Sequence, residues 1–179
     1  PVGLGLLNNG FRSPSSIFFI GSMLYLPEIN FYLFHLIPAF IMGFSNLILI
    51  RLAIDKNIFE KNKFINLLSL LSLIFINIFF YRLAEHGTDR SGMIIIILSI
   101  IYLLYVTNNT GSQNNENNNL IKIIAILICF ASTIKPSFLI YFSFFIVLLT
   151  FKHTRLIFIN LFFSRTFYYC LGLVFLSIF

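Results

Sequence analysis

Apolar residues in this chain run in long blocks separated by short polar knots. Phe31–Ile54, Phe64–Tyr81, Met93–Val106, Leu120–Ile134, Ser137–Phe151 and Leu156–Phe179 are dominated by Leu, Ile, Phe and Val. Blocks of this length and purity read as helices that are apolar on every side, the pattern of membrane spans rather than of surface helices. The pattern predicts an all-α, multi-pass transmembrane helical bundle forming one domain over residues 1–179, with spans near 31–54, 64–86, 89–106, 120–134, 137–151 and 167–179. Pro38 falls inside the first span, where a kink is tolerated.

Residues 1–30 break the pattern. Gly3, Gly5, Gly10 and Asn8-Asn9 make a poor helix interior, and Ser13-Pro14 reads as an N-cap followed by Pro at the first helical position. A helix from Pro14 to Leu26 is roughly 20 Å long at 1.5 Å per residue, short of a ~30 Å hydrocarbon core. The expectation is an interfacial or re-entrant segment ended by Pro27-Glu28. Between the spans lie a charged loop at Asp55–Lys63, an Asn-rich linker at Thr107–Asn119, a turn at Lys135-Pro136 and a basic loop at Lys152–Arg155. Ser164-Arg165-Thr166 divides the last block into an interfacial piece and part of a sixth span. The chain starts at Pro1 and stops inside an apolar run at Phe179, so it reads as a piece of a longer protein.

Composition agrees with the pattern. The chain is 59% hydrophobic and 10% charged, with a mean hydropathy of +0.95; soluble domains carry about 25% charged residues. Cys129 and Cys170 lie within apolar runs at no metal-ligand spacing, as buried thiols do, and no disulfide is expected. The net charge of +6 does not point to nucleic acid, because the basic residues sit at the ends of apolar runs, where they set membrane orientation. Arg51, Lys56, Lys61, Lys63, Lys122, Lys152, Arg155 and Arg165 fall on one side, and Arg12, Arg82, Arg90 and Lys135 on the other. Eight against four places the first set in the cytoplasm.

The charged knot Arg82–Arg90 stands out, with five ionisable side chains in nine residues. Arg82, Glu85, His86, Asp89 and Arg90 follow helical spacing, so an unbroken helix would carry all five on one face. Gly87-Thr88 suggests a break instead, with one helix ending near His86 and Thr88 capping the next from Asp89, a site favourable for a carboxylate. In either case these five residues and Lys135 converge on the outer side and form the candidate substrate-binding set. Arg82, Arg90 and Lys135 suit a phosphate or pyrophosphate, held by charge-assisted hydrogen bonds. Glu85 and Asp89 suit orientation of those cations or contact with sugar hydroxyls. Glu85, His86 and Asp89 also have the chemistry to ligate a divalent ion, though at no recognised metal spacing. The plainer alternative is a hairpin end whose Arg and Lys snorkel to head groups.

Three pieces resemble, in order, the GT-C superfamily of polytopic glycosyltransferases, which use polyprenyl-phosphate sugars and include the bacterial aminoarabinose and mannosyl transferases. They are the span Phe31–Arg51, the stretch Tyr81-Arg82-Leu83-Ala84 leading to Thr88-Asp89 and an apolar run, and the turn Ser132-Thr133-Ile134-Lys135-Pro136. The stretch from Glu85 to Ser91, with Pro1–Ser16, is similar to a group of uncharacterised bacterial membrane proteins at the edge of that superfamily. The resemblance implies a GT-C-like bundle in a bacterial inner membrane. It also implies transfer of a sugar from a polyprenyl-phosphate donor to a lipid or glycan acceptor, with the catalytic carboxylate on a loop upstream of this chain. No residue here is therefore assigned as catalytic. A transporter or lipid flippase and a non-catalytic membrane subunit are the rival classes. The near absence of charge within the spans counts against a transport path.

The Lys/Arg split predicts a topology. In intact cells, a cysteine introduced at Ser112 is expected to resist a membrane-impermeant thiol reagent and one at Thr88 to react. The opposite labelling pattern would invert the orientation and remove the shared outer face.

Overall fold

A computed structural model describes residues 36–55, 62–79, 87–108 and 114–178 of the chain. Among these residues the fold is all-helical: α1 (Leu36–Ile54), α2 (Lys63–Phe79), α3 (Gly87–Asn108), α4 (Asn114–Ile134), a 3-10 helix (Pro136–Ser143) continued by α5 (Phe144–Thr150), then α6 (Lys152–Phe162) and α7 (Arg165–Ile178). Among the described residues, two helices are long and apolar enough to cross a membrane, over Arg90–Asn108 and Asn117–Ile134. They form the most extensive pair. Helices α1 and α2 pack on each other and on α3, while the 3-10 helix, α6 and α7 pack on α4. Ile94, Ile96, Ile101, Ile121, Ile124 and Ile128 are fully buried in the core where α3 and α4 meet.

Helix α2 shows how the packing works. Its buried positions are Ile65, Asn66, Ser69, Ser72 and Ile76, spaced to share one face. Its outer face carries Phe64, Leu67, Leu70, Leu71, Ile74, Phe75, Ile78 and Phe79, all exposed. The small and polar residues thus point inward and the large apolar ones outward. Ser45 on α1, Ser91 and Ser99 on α3 and Ser132 and Thr133 on α4 repeat the trend. Small inward residues let helices approach closely, and their hydroxyls return to their own backbone: Ser69 Oγ donates to the Ile65 carbonyl (2.8 Å), Ser99 Oγ to Ile95 (3.0 Å) and Ser132 Oγ to Ile128 (2.8 Å).

Helix ends are closed by neighbouring side chains. At the C-terminus of α1, Asp55 N–H donates to the Arg51 carbonyl (3.0 Å). Asn66 Nδ2 donates to the carbonyls of Leu52 (3.0 Å) and Ala53 (3.2 Å). Carbonyls orphaned by the end of α1 are therefore taken up by the first turn of α2. At the end of α5, Thr154 Oγ1 donates to Leu148 O (2.6 Å) and Arg155 Nε to Leu149 O (3.2 Å). Asn46, near the middle of α1, and Asn77, in the last turn of α2, exchange reciprocal amide hydrogen bonds, both 3.1 Å.

Several sequence expectations change. Thr107–Asn119 is not a linker throughout, because Thr107 and Asn108 end α3 and Asn114–Asn119 form the first turns of α4. Asn is only mildly unfavourable in a helix, and Asn117 is buried (3% exposed), so packing overrides composition there. The fifth block begins as a 3-10 helix rather than an α-helix. Ser164-Arg165-Thr166 opens α7, two residues earlier than expected: Ser164 Oγ accepts from Phe167 N–H (3.3 Å), an N-cap. Arg165 does not sit at the bundle end with Lys152 and Arg155. Phe158 on α6 stacks on Phe145 (5.2 Å), and Phe162 meets Phe167 (4.7 Å). Phe162 and Phe167 also share a groove with Phe142 and Phe145, so the α6–α7 break stands beside the middle of the 3-10/α5 segment. Without Arg165 the orienting charges stand at seven against four, and the predicted orientation is unchanged. The segment over residues 1–30 and the extension of the second span to residue 86 lie outside the described residues.

The Asn46–Asn77 pair predicts a coupling. A double-mutant cycle with Asn46→Leu and Asn77→Leu, read by unfolding in detergent or bilayers, is expected to give about 0.6–1.7 kcal/mol of interaction energy. Additive effects would show that the two amides do not hold α1 to α2.

Candidate functional site

The candidate set divides sharply. Arg82, Glu85 and His86 lie outside the described residues. Asp89 is the third residue of α3, whose N-terminal dipole favours a carboxylate, and Arg90 follows it half-buried. The helix begins at Gly87, a residue or two before the expected cap at Thr88, which is within the ordinary spread of helix boundaries.

Lys135 arrives from the other side. Helix α4 stops at Ile134, and Lys135 is extended at φ −148°, ψ 122° before Pro136 at the first position of the 3-10 helix. Proline excludes the residue before it from the α region, so this break is written into Lys135-Pro136. The Lys135 carbonyl accepts from Phe138 N–H (3.0 Å), which starts the tight coil. Lys135 itself is half-buried.

Gly92 brings these two pieces together. A Cβ placed on Gly92 would overlap the ring of Phe138, which is 6% exposed. Phe138 therefore lies directly on the α3 backbone, two residues after Arg90 and three after Lys135. Tyr141 adds a second contact, its hydroxyl 4.0 Å from Met93 Sδ and its ring stacked on Phe138 (6.0 Å). The start of α3 and the Lys135 turn are thus held at one end of the bundle, over a buried polar layer of Ser91, Ser132 and Thr133. Thr133 Oγ1 and Ser132 Oγ spend their protons on the carbonyls of Phe130 (2.7 Å) and Ile128 (2.8 Å), which leaves their oxygens as acceptors.

Gly92, Phe138 and Tyr141 were not singled out from the sequence, where Gly92 read only as the start of an apolar run. The available signal was a glycine inside a long apolar helix, which costs about 1 kcal/mol against alanine and often marks a close approach. Among the described residues, no three of His, Cys, Asp and Glu gather where a metal could be held. Cys129 and Cys170 are buried, form no disulfide, and cluster with Val174 against Leu139 and Phe142. Comparison with protein-family models, curated proteins and solved structures finds nothing that matches this chain.

Gly92→Ala is expected to destabilise the protein by about 1–3 kcal/mol through overpacking. Phe138→Leu should recover part of that loss, because it removes the ring the new methyl would strike. Strict additivity of the two changes in an unfolding measurement would contradict the close approach.

Proposed function

We propose that this is a multi-pass protein of a bacterial inner membrane. The observation that carries the reading is the polarity of α2, with Asn66, Ser69 and Ser72 inside and a broad face of large apolar residues outside. In water that face would be an aggregation surface, and in a bilayer it is the natural boundary. The shorter segments also fit. A 3-10 helix rises ~2.0 Å per residue, so Pro136–Thr150 extends about 26 Å, nearer a ~30 Å core than an α-helix of equal length.

We further propose that the outer end serves a glycosyltransferase that moves a sugar from a polyprenyl-phosphate donor to a lipid or cell-surface glycan acceptor. The resemblance of the Arg82–Ser91 and Ser132–Pro136 stretches supports the class. The Gly92–Phe138 approach supports a shared site, because it puts the turns of Arg90 and Lys135 at one end. In such a reaction the phosphate leaving group carries growing negative charge. Arg82, Arg90 and Lys135 would hold it by charge-assisted hydrogen bonds, with Glu85 and Asp89 orienting them or touching the acceptor and His86 completing the substrate-binding set.

A lipid flippase is the second reading, and the capped break at Ser164 favours it. Discontinuous helices with a charge partway along are a mark of transport folds.

Asp89→Asn tests the site in protein reconstituted into membranes and normalised for amount. Loss of one charge-assisted hydrogen bond, ~1.5–3 kcal/mol, corresponds to roughly ten- to a hundredfold slower transfer from a labelled polyprenyl-phosphate sugar. A mere hairpin end would lose well under 1 kcal/mol. Wild-type transfer in both Asp89→Asn and Arg82→Gln would dismiss the site, and lipid scrambling without transfer would select the flippase.

A further inference from the structure

An open apolar groove of about 390 Å³ runs between the 3-10/α5 segment and the α6–α7 pair, lined on one side by Phe142, Phe145 and Ile146 and on the other by Phe158, Phe162 and Phe167. Arg165 follows Phe162 by three residues and precedes Phe167 by two, so it stands at the same break that the groove passes. Its side chain is exposed, and no hydrogen bond or ion pair of Arg165 occurs among the described residues. It is the first residue of α7, where the amide groups and the helix dipole favour negative charge.

We propose that this groove is a binding site for an anionic phospholipid of the surrounding bilayer, with one acyl chain along the phenylalanines and the head group drawn to Arg165. The inference rests only on the bilayer part of the functional reading and goes beyond sugar transfer. The complementarity is of two kinds in one place: an apolar trough for a chain and an unshared guanidinium for a phosphate. An arginine stem also reaches several ångströms towards the membrane surface, which lets the charge meet a head group while the backbone stays deeper. Charge decides between a lipid and an apolar partner helix, because a helix without an acidic residue would cover the guanidinium unpaired, whereas a phosphate head group pairs with it.

The chain contains no Trp, so a tryptophan introduced at one place reports that place alone. Phe162→Trp puts it in the groove, Ile159→Trp gives a second reporter should the first fail to fold, and Phe64→Trp on α2 is the control. Each variant is reconstituted in bilayers containing brominated phosphatidylglycerol or brominated phosphatidylcholine, and quenching gives the relative affinity of the two lipids. A preference of about fivefold for the anionic lipid is expected at the groove, the effect of one basic residue at a charged membrane surface. Near-equal quenching is expected at Phe64→Trp, and Arg165→Gln should abolish the groove preference. Equal quenching at the groove, or a preference that survives Arg165→Gln, overturns the proposal. So does loss of the preference on adding millimolar inorganic phosphate, which would make Arg165 a site for a soluble ion. If no reporter is quenched by either lipid, the chain is not in the bilayer, and it is the membrane reading that fails.

Discussion

Backbone groups at the ends of helices need partners, and in apolar surroundings water does not supply them. That constraint explains four of the polar residues described in this chain. Asn66 closes α1, Thr154 and Arg155 close α5, and Ser164 opens α7. Asn66, Thr154 and Arg155 each lie in the helix adjoining the end they satisfy, so those closures also fix how two helices meet. The core of Ile and Leu supplies packing, but it does not dictate where one helix stops and the next begins. The capping side chains do that, with Pro136 setting the boundary at Lys135.

The parts legible in the sequence were those governed by local chemistry. All-helical architecture followed from the long apolar blocks, and the stop at Ile134 followed from Lys135-Pro136. Tertiary packing decided the rest. The Asn-rich stretch looked like a linker because composition was weighed without knowing that Asn117 would be buried. The 3-10 geometry of Pro136–Ser143 has no signature in residues that are equally good α-helix formers. Arg165 was grouped with the basic loop beside it, since a hydropathy profile does not distinguish a loop between spans from a capped break inside one. Three members of the candidate site, Arg82, Glu85 and His86, fall outside the described residues, so the sequence remains the source for their roles.

At the end of the bundle where α3 begins, the arrangement separates two functions usually carried by the same residues. Gly92, Phe138 and Tyr141 determine where the turns lie, while the charges that would meet a phosphate sit on either side of that contact. A cluster of cations held only by one another would drift apart on losing its ligand. Here an apolar contact between backbone and ring maintains the spacing without any anion.

The α1–α2 pair has a further implication, for the order of assembly. Its closures are internal: Asn66 reaches back only fourteen residues to Leu52, and Asn46 and Asn77 satisfy each other across thirty-one. Contacts of such short sequence separation form early, and a domain made during synthesis folds from its N-terminal side. The hairpin can therefore form these bonds before α3 leaves the ribosome. Asn46 and Asn77 then need not wait, unpaired, for a distant partner. Helix α3 would be added to a finished unit, meeting a face already dry and shaped to receive it.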